Sequence, residues 1–129
     1  MPLRNRSGTV LLRAAFLGAL LMIFALALTP LGPVPDLVPS QDKLGHLATF
    51  FGLSLLGFAA WPGRTPSVAL ALLAYGALIE AGQAATGYRH AESLDWIADA
   101  LGVATALAVR AFWLVRRRPH RFGANDHLG

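Results

Sequence analysis

Residues 67–85 read SVALALLAYGALIEAGQAA, nineteen positions in which Glu80 is the only charged residue and Gln83 the only amide. A helix rises 1.5 Å per residue, and about 20 apolar residues cross a hydrocarbon core roughly 30 Å thick. The run is therefore long enough to span a bilayer. Three further blocks of the same kind flank it: Leu11–Thr29, broken by Arg13; Leu44–Trp61, holding His46; and Trp96–Val115, holding Asp99 and Arg110. The segments between them, Pro30–Lys43, Pro62–Pro66 and Thr86–Asp95, collect the Pro, Gly and charge. With 55% hydrophobic and 14% charged residues, the chain is too apolar for an ordinary soluble domain of 129 residues. At this span length only helices satisfy their own backbone polar groups in lipid.

The expected fold is all-α, an integral membrane four-helix bundle with spans at about 11–29, 44–61, 67–85 and 96–115. Residues 1–10 form a basic N-terminal segment, 11–115 the transmembrane domain, and 116–129 a basic tail of disordered composition. An alternative for the first block is a cleaved signal peptide, with Arg4, Arg6 and Arg13 as its basic region and Ala25-Leu26-Ala27 as a small-residue cleavage site. The absence of Cys excludes disulfides, thiolate catalysis and thiolate metal sites.

Charge gives the expected orientation. Nine of the eleven Lys and Arg fall on one side of the implied membrane, leaving Lys43 and Arg89 on the other. Basic residues stay cytoplasmic, so both termini are expected inside, with the first and third loops outside. Six of the seven acids, Asp36, Asp42, Glu80, Glu92, Asp95 and Asp99, then belong to the outer half. The formal charge of +4 divides into about −4 outside and +8 inside. The high pI of about 10.7 thus reflects topology rather than nucleic-acid binding. The Arg116–Arg118 run suits anionic inner-leaflet lipid. Arg13 and Arg110 are placed to snorkel, and Trp61, Trp96 and Trp113 to anchor at the interfaces.

Charged groups at membrane depth cost about 2.5–3.5 kcal/mol each on insertion scales, so each needs a partner, a wet cavity or a task. Asp42 and His46, four apart, share a helix face. Asp42 alone reads equally well as a helix cap. Glu80 and Gln83 lie one turn apart, with Glu80 a turn or two below the outer surface. A carboxylate there is neutralised by Arg89, by Lys43 or by a proton. Asp95 and Asp99 share a face of the fourth helix, with Ser93 or Asp95 as its expected N-cap. Glu92 and Asp95 also suit the helix dipole, whereas Asp99 lies deeper and requires a partner. Gly102 and Ala106, with Gly76 on the third helix, are spaced for close packing that brings the Glu80 and Asp99 faces together.

At these residues the chain resembles the VanZ-like membrane proteins, over roughly Asp42 to Ala106. Asp42-Lys43-x-x-His46 looks like the family's DK-x-x-H, and Glu80-x-x-Gln83 like its E-x-x-Q. Arg89-x-x-Glu92-x-x-Asp95, followed by Asp99 and Gly102, looks like its R-x-x-(D/E)-x-x-D-x-x-x-N-x-x-G. Asp99 stands where the family often has Asn, and Ala106 where a second Gly is common. The resemblance implies a bacterial plasma-membrane protein of the cell envelope, linked through the family's namesake to antibiotic resistance of the glycopeptide (teicoplanin) kind.

Several functions fit these residues. In a binding module, Asp42, Lys43, His46, Glu80, Gln83, Arg89, Asp95 and Asp99 line an outward pocket for a lipid head group, cell-wall precursor or glycopeptide. Arg89 and Lys43 then take phosphate or carboxylate. In an envelope hydrolase or transferase, His46 and Glu80 are the catalytic acid and base. A hard divalent ion on Glu80, Asp95, Asp99 and His46 is a variant, but no dense ligand motif supports it, so neither metal nor cofactor is expected. A structural role instead pairs Arg89 with Glu80 or Asp95. Proton-coupled transport finds only Ser54, Tyr75 and Thr105 in the inner half, too little for a pathway.

Overall fold

The four apolar blocks coil into α1 (Arg6–Leu28), α2 (Gln41–Ala60), α3 (Thr65–Thr86) and α4 (Ser93–Arg116) in a computed structural model that describes residues 5–30, 37 and 40–118. All four are long and apolar enough to cross a membrane. No strand occurs among the described residues. Residues 1–4 of the basic N-terminal segment, Asp36, and 119–129 of the tail lie outside them.

The helices begin earlier than the apolar blocks. Hydropathy marks the hydrocarbon thickness, whereas hydrogen bonding carries a helix past it into polar sequence. At α1, Asn5 caps the helix by accepting a bond from the Ser7 amide, so Arg6–Val10 joins the span. The first turn of α2 is Gln41, Asp42 and Lys43, entered from Ser40 in the left-handed region (φ 62°). Asp42 therefore lies inside the first turn, where its charge suits the dipole, and is not the cap. At α4 the N-cap is Glu92 rather than Ser93 or Asp95. The Asp95 amide closes the turn onto the Glu92 carbonyl at 2.9 Å.

α2 is the central helix and touches all three others, and α1 and α4 do not meet among the described residues. The closest pair is α2 with α4, and Gly102 is the cause. A Cβ at Gly102 would lie 2.5 Å from the Leu47 carbonyl oxygen and 3.0 Å from the Phe51 amide, so the two main chains touch there. The small residue expected to draw α4 onto α3 thus draws it onto α2. Gly76 does serve the α3–α4 contact, since a Cβ there would sit 2.8 Å from Asp99 Oδ2. The core between α2, α3 and α4 is Phe50, Leu53, Leu72, Ile79 and Val103.

α1 lies at the edge, with Phe16 its only buried residue. It packs Leu20, Ile23 and Phe24 against the core and adds polar ties. Arg13 does not simply snorkel: its Nε donates to the Ala60 carbonyl at 3.2 Å while its guanidinium stacks over Trp61. Tyr75 donates to the Leu20 carbonyl from the middle of α3. Trp96 is more than an interfacial anchor, since its indole N–H reaches the Leu73 carbonyl at 3.0 Å. Arg110 lies over Phe58 and Arg117 over Trp113.

Candidate functional site

The polar residues gather at one end of the bundle, where α1 finishes, α2 begins and the α3–α4 turn crosses over. The first turn of α2 carries Asp42, Lys43 and, one turn on, His46. Asp95 and Asp99 descend the facing side of α4 because they are one turn apart. The Gly102 contact holds these two helices near enough for side chains to bridge them.

Asp99 is fully buried and binds His46, with Nδ1 donating to Oδ1 at 2.8 Å. That bond is the partner Asp99 required, and a carboxylate on Nδ1 leaves Nε2 as the free ring nitrogen. Nε2 lies 3.9 Å from Asp95 Oδ2, too far for a hydrogen bond. Lys43 Nζ reaches Glu92 Oε2 at 3.0 Å, Asp42 Oδ2 at 3.5 Å and Asp95 Oδ1 at 3.8 Å. One ammonium thus serves three carboxylates.

Arg89 takes a different place from the one expected. Its Nε donates to the Ala27 carbonyl at 3.0 Å, at the end of α1, and it forms no ion pair with Glu80, Asp95 or any other described acid. Gln83 donates to the same Ala27 carbonyl at 3.2 Å, and Tyr88 to that of Leu28. These three side chains together cap α1, whose terminal carbonyls have no partners within the helix. Glu80 lies behind the site. His46, Asp95 and Asp99 are its electrostatic neighbours, and its buried carboxylate oxygens close no hydrogen bond.

Two adjoining cavities open between these elements and share Asp42, His46, Gln83 and Arg89. One, of about 380 Å³, lies under the turn and is bounded further by Tyr88, Glu92 and Asp95. The other, of about 340 Å³, continues between α1 and α2 along Ile23, Leu26, Ala27, Phe50 and Ile79. Together they form a cleft with a charged mouth and an apolar extension.

Of the eight site residues expected from sequence, Asp42, His46, Gln83, Arg89 and Asp95 line this cleft. Lys43, Glu80 and Asp99 support it from behind. Tyr88 and Glu92 join the site without having been singled out for it. Glu92 had a signal, since an acid at the start of a long apolar helix needs a cation, and Lys43 is one of the two that the charge pattern sets on the same side. The carboxylates that come within 4.8 Å of one another are Asp42, Glu92 and Asp95, not the set of Glu80, Asp95, Asp99 and His46. Lys43 Nζ lies among them, one cation to three acids.

No family model, curated protein or solved structure matches the chain.

Proposed function

We propose that the chain is a VanZ-like, multi-pass protein of the bacterial plasma membrane that binds an amphiphilic, lipid-linked envelope molecule in this cleft. The observation that carries the reading is the division of the cleft into a charged mouth and an apolar extension, which matches a polar head group on a hydrocarbon chain. The orientation rests on charge. Arg13, Arg64 and Arg110 lie at the end of the bundle opposite the cleft, beside the α2 C-terminus and the α2–α3 turn. By the positive-inside rule that end is cytoplasmic, as are both termini, and the cleft faces the periplasm or cell exterior. A lipid head group or the head of a cell-wall precursor is the ligand proposed for the mouth, and a role in glycopeptide resistance is the phenotype to examine.

A second reading, an envelope hydrolase or transferase, is favoured by the His46–Asp99 pair. Its buried carboxylate orients an imidazole whose other nitrogen belongs to a cleft-lining residue. His46 is then the base, and Glu80, which lines neither cavity, takes no direct part.

The test is native mass spectrometry of the detergent-extracted protein. A bound amphiphile is expected from the wild type, and Leu26→Trp, at an exposed position lining the apolar extension, should displace it. Equal lipid retention by both proteins would refute the cleft as its site. Turnover lost with binding kept in His46→Gln would favour the enzyme. Because the chain has no Cys, Ala91→Cys gives an unambiguous orientation test. Labelling from outside intact cells is expected, and labelling only from the cytoplasm would reverse the topology.

A further inference from the structure

Charge is unevenly divided between the walls of the cleft. On the α2–α4 wall, Lys43 is the only cation against Asp42, Glu92 and Asp95, at 3.5, 3.0 and 3.8 Å. On the α1 wall, Arg89 spends Nε on the Ala27 carbonyl, and its two Nη groups meet no carboxylate among the described residues. Asp95 is 7% exposed, yet it lines the mouth together with Asp42 and Arg89. Its Oδ2 stops 3.9 Å short of His46. Among the described residues, an excess of negative charge therefore faces a guanidinium without a carboxylate across one small cavity. At the boundary of a low-dielectric medium such separation is costly until a ligand compensates both walls.

We infer that the ligand is a zwitterionic phospholipid of the ethanolamine class, its phosphodiester on Arg89 and its primary ammonium on Asp42 and Asp95. This rests on the cleft being a lipid site and narrows which lipid it takes. The planar Nη groups of Arg89 suit a phosphate bidentately, and the carbonyl on Nε fixes their aim. The ammonium has three N–H donors for the carboxylate wall. A choline head has none and is recognised by aromatic cages, whereas Tyr88 is the only Phe, Tyr or Trp lining the mouth. A glycerol head leaves the acids uncompensated. A diphosphate brings several negative charges to a mouth that already holds three carboxylates around one ammonium. The acyl chains enter the apolar extension past Leu26 and Ile79.

The test uses full-length protein stripped of lipid in detergent and titrated, under native mass spectrometry, with palmitoyl-oleoyl phosphatidylethanolamine, phosphatidylcholine or phosphatidylglycerol, and with a long-chain prenyl diphosphate. The ethanolamine lipid is expected to bind about tenfold more tightly than the others, the worth of one charge-assisted hydrogen bond. Asp42→Asn, at an exposed position that leaves the fold intact, should shrink that margin, and Asp95→Asn should abolish it. Arg89→Gln should weaken every phosphate lipid alike. Equal binding of the choline and ethanolamine lipids, or a preference unchanged by both Asp variants, overturns the inference. If the glycerol lipid or the prenyl diphosphate binds best and Arg89→Gln weakens it, the cleft remains a lipid site and the ethanolamine assignment alone is lost. If no lipid responds to any of the three substitutions, both readings fall.

Discussion

Replacing Gly102 by Ala tests the link between helix packing and the site. The added methyl would meet the Leu47 carbonyl oxygen at 2.5 Å and the Phe51 amide at 3.0 Å, and both are main-chain atoms that cannot rotate away. Ordinary contact begins near 3.4 Å, so α2 and α4 must part by about 0.9 Å at this level. His46 is the neighbour of Leu47, and Asp99 lies one turn before Gly102, so their 2.8 Å bond spans the same gap. An equal displacement takes it past 3.5 Å, beyond hydrogen-bonding range. Overpacking costs about 1–3 kcal/mol, and a buried carboxylate deprived of its partner about 1–3 kcal/mol more. The thermal melt of the detergent-purified variant should fall well below that of Gly52→Ala, whose methyl enters open space on the facing helix α2. The His46 side-chain NMR signals should also lose their hydrogen-bonded shift. If Gly102→Ala melts with Gly52→Ala and the His46 signals do not move, the packing argument is wrong.

Three further outcomes follow from the same geometry. Lys43→Met leaves Asp42, Glu92 and Asp95 facing one another, and stability falls mainly through Asp95, which is buried while Asp42 and Glu92 are exposed. The three carboxylates lie close enough to share an ion, so sub-millimolar to millimolar Ca²⁺ should raise this variant's melting temperature and not the wild type's. A melt insensitive to Ca²⁺ would show that the three do not converge. Gln83→Leu and Arg89→Gln each leave the Ala27 carbonyl one donor, whereas the double variant leaves none. Its loss of stability should exceed the sum of the single losses by about 1 kcal/mol, and simple additivity would refute a shared acceptor. Tyr75→Phe should cost about 0.6–1.7 kcal/mol by releasing the Leu20 carbonyl, and an unchanged melt would remove that bond from the account.

The four helices were legible because apolar length is a direct consequence of bilayer thickness. Their first turns were not, since Gln41, Asp42 and Lys43 carry a loop's composition while forming helical hydrogen bonds. The site was legible as a set of residues that a membrane does not tolerate without reason, and His46 and Asp99 did find each other. The pairing of the remaining charges was hidden. Spacings of three and four residues tell which groups share a face, not how that face is turned toward its neighbours. Arg89 looked like the natural counter-ion for Glu80 because both belong to the outer half. The unsatisfied carbonyls of α1 compete for the same guanidinium, and a sequence shows side chains but not the main-chain acceptors awaiting them. Ser54 and Thr105 show the same limit, since each spends its hydroxyl on the carbonyl four residues back. With Tyr75 bound to Leu20, none of the inner-half hydroxyls weighed for a proton pathway is left over.

Besides the apolar face that carries Phe16, Leu20 and Phe24, α1 supplies the bundle with its main chain. Leu20, Ala27 and Leu28 take part in these bonds through carbonyls that any residue would offer, while the donors Tyr75, Gln83, Tyr88 and Arg89 belong to α3 and the turn after it. Outside Phe16, Arg13 and the face of Ala19, Leu20, Ile23, Phe24 and Ala27 that packs on the core, the first helix can exchange one apolar side chain for another and still be recognised by the rest of the protein. Mutational tolerance should therefore be high on the outward face of α1 and low at the four donors, so that part of the identity of one helix is written in the sequence of another.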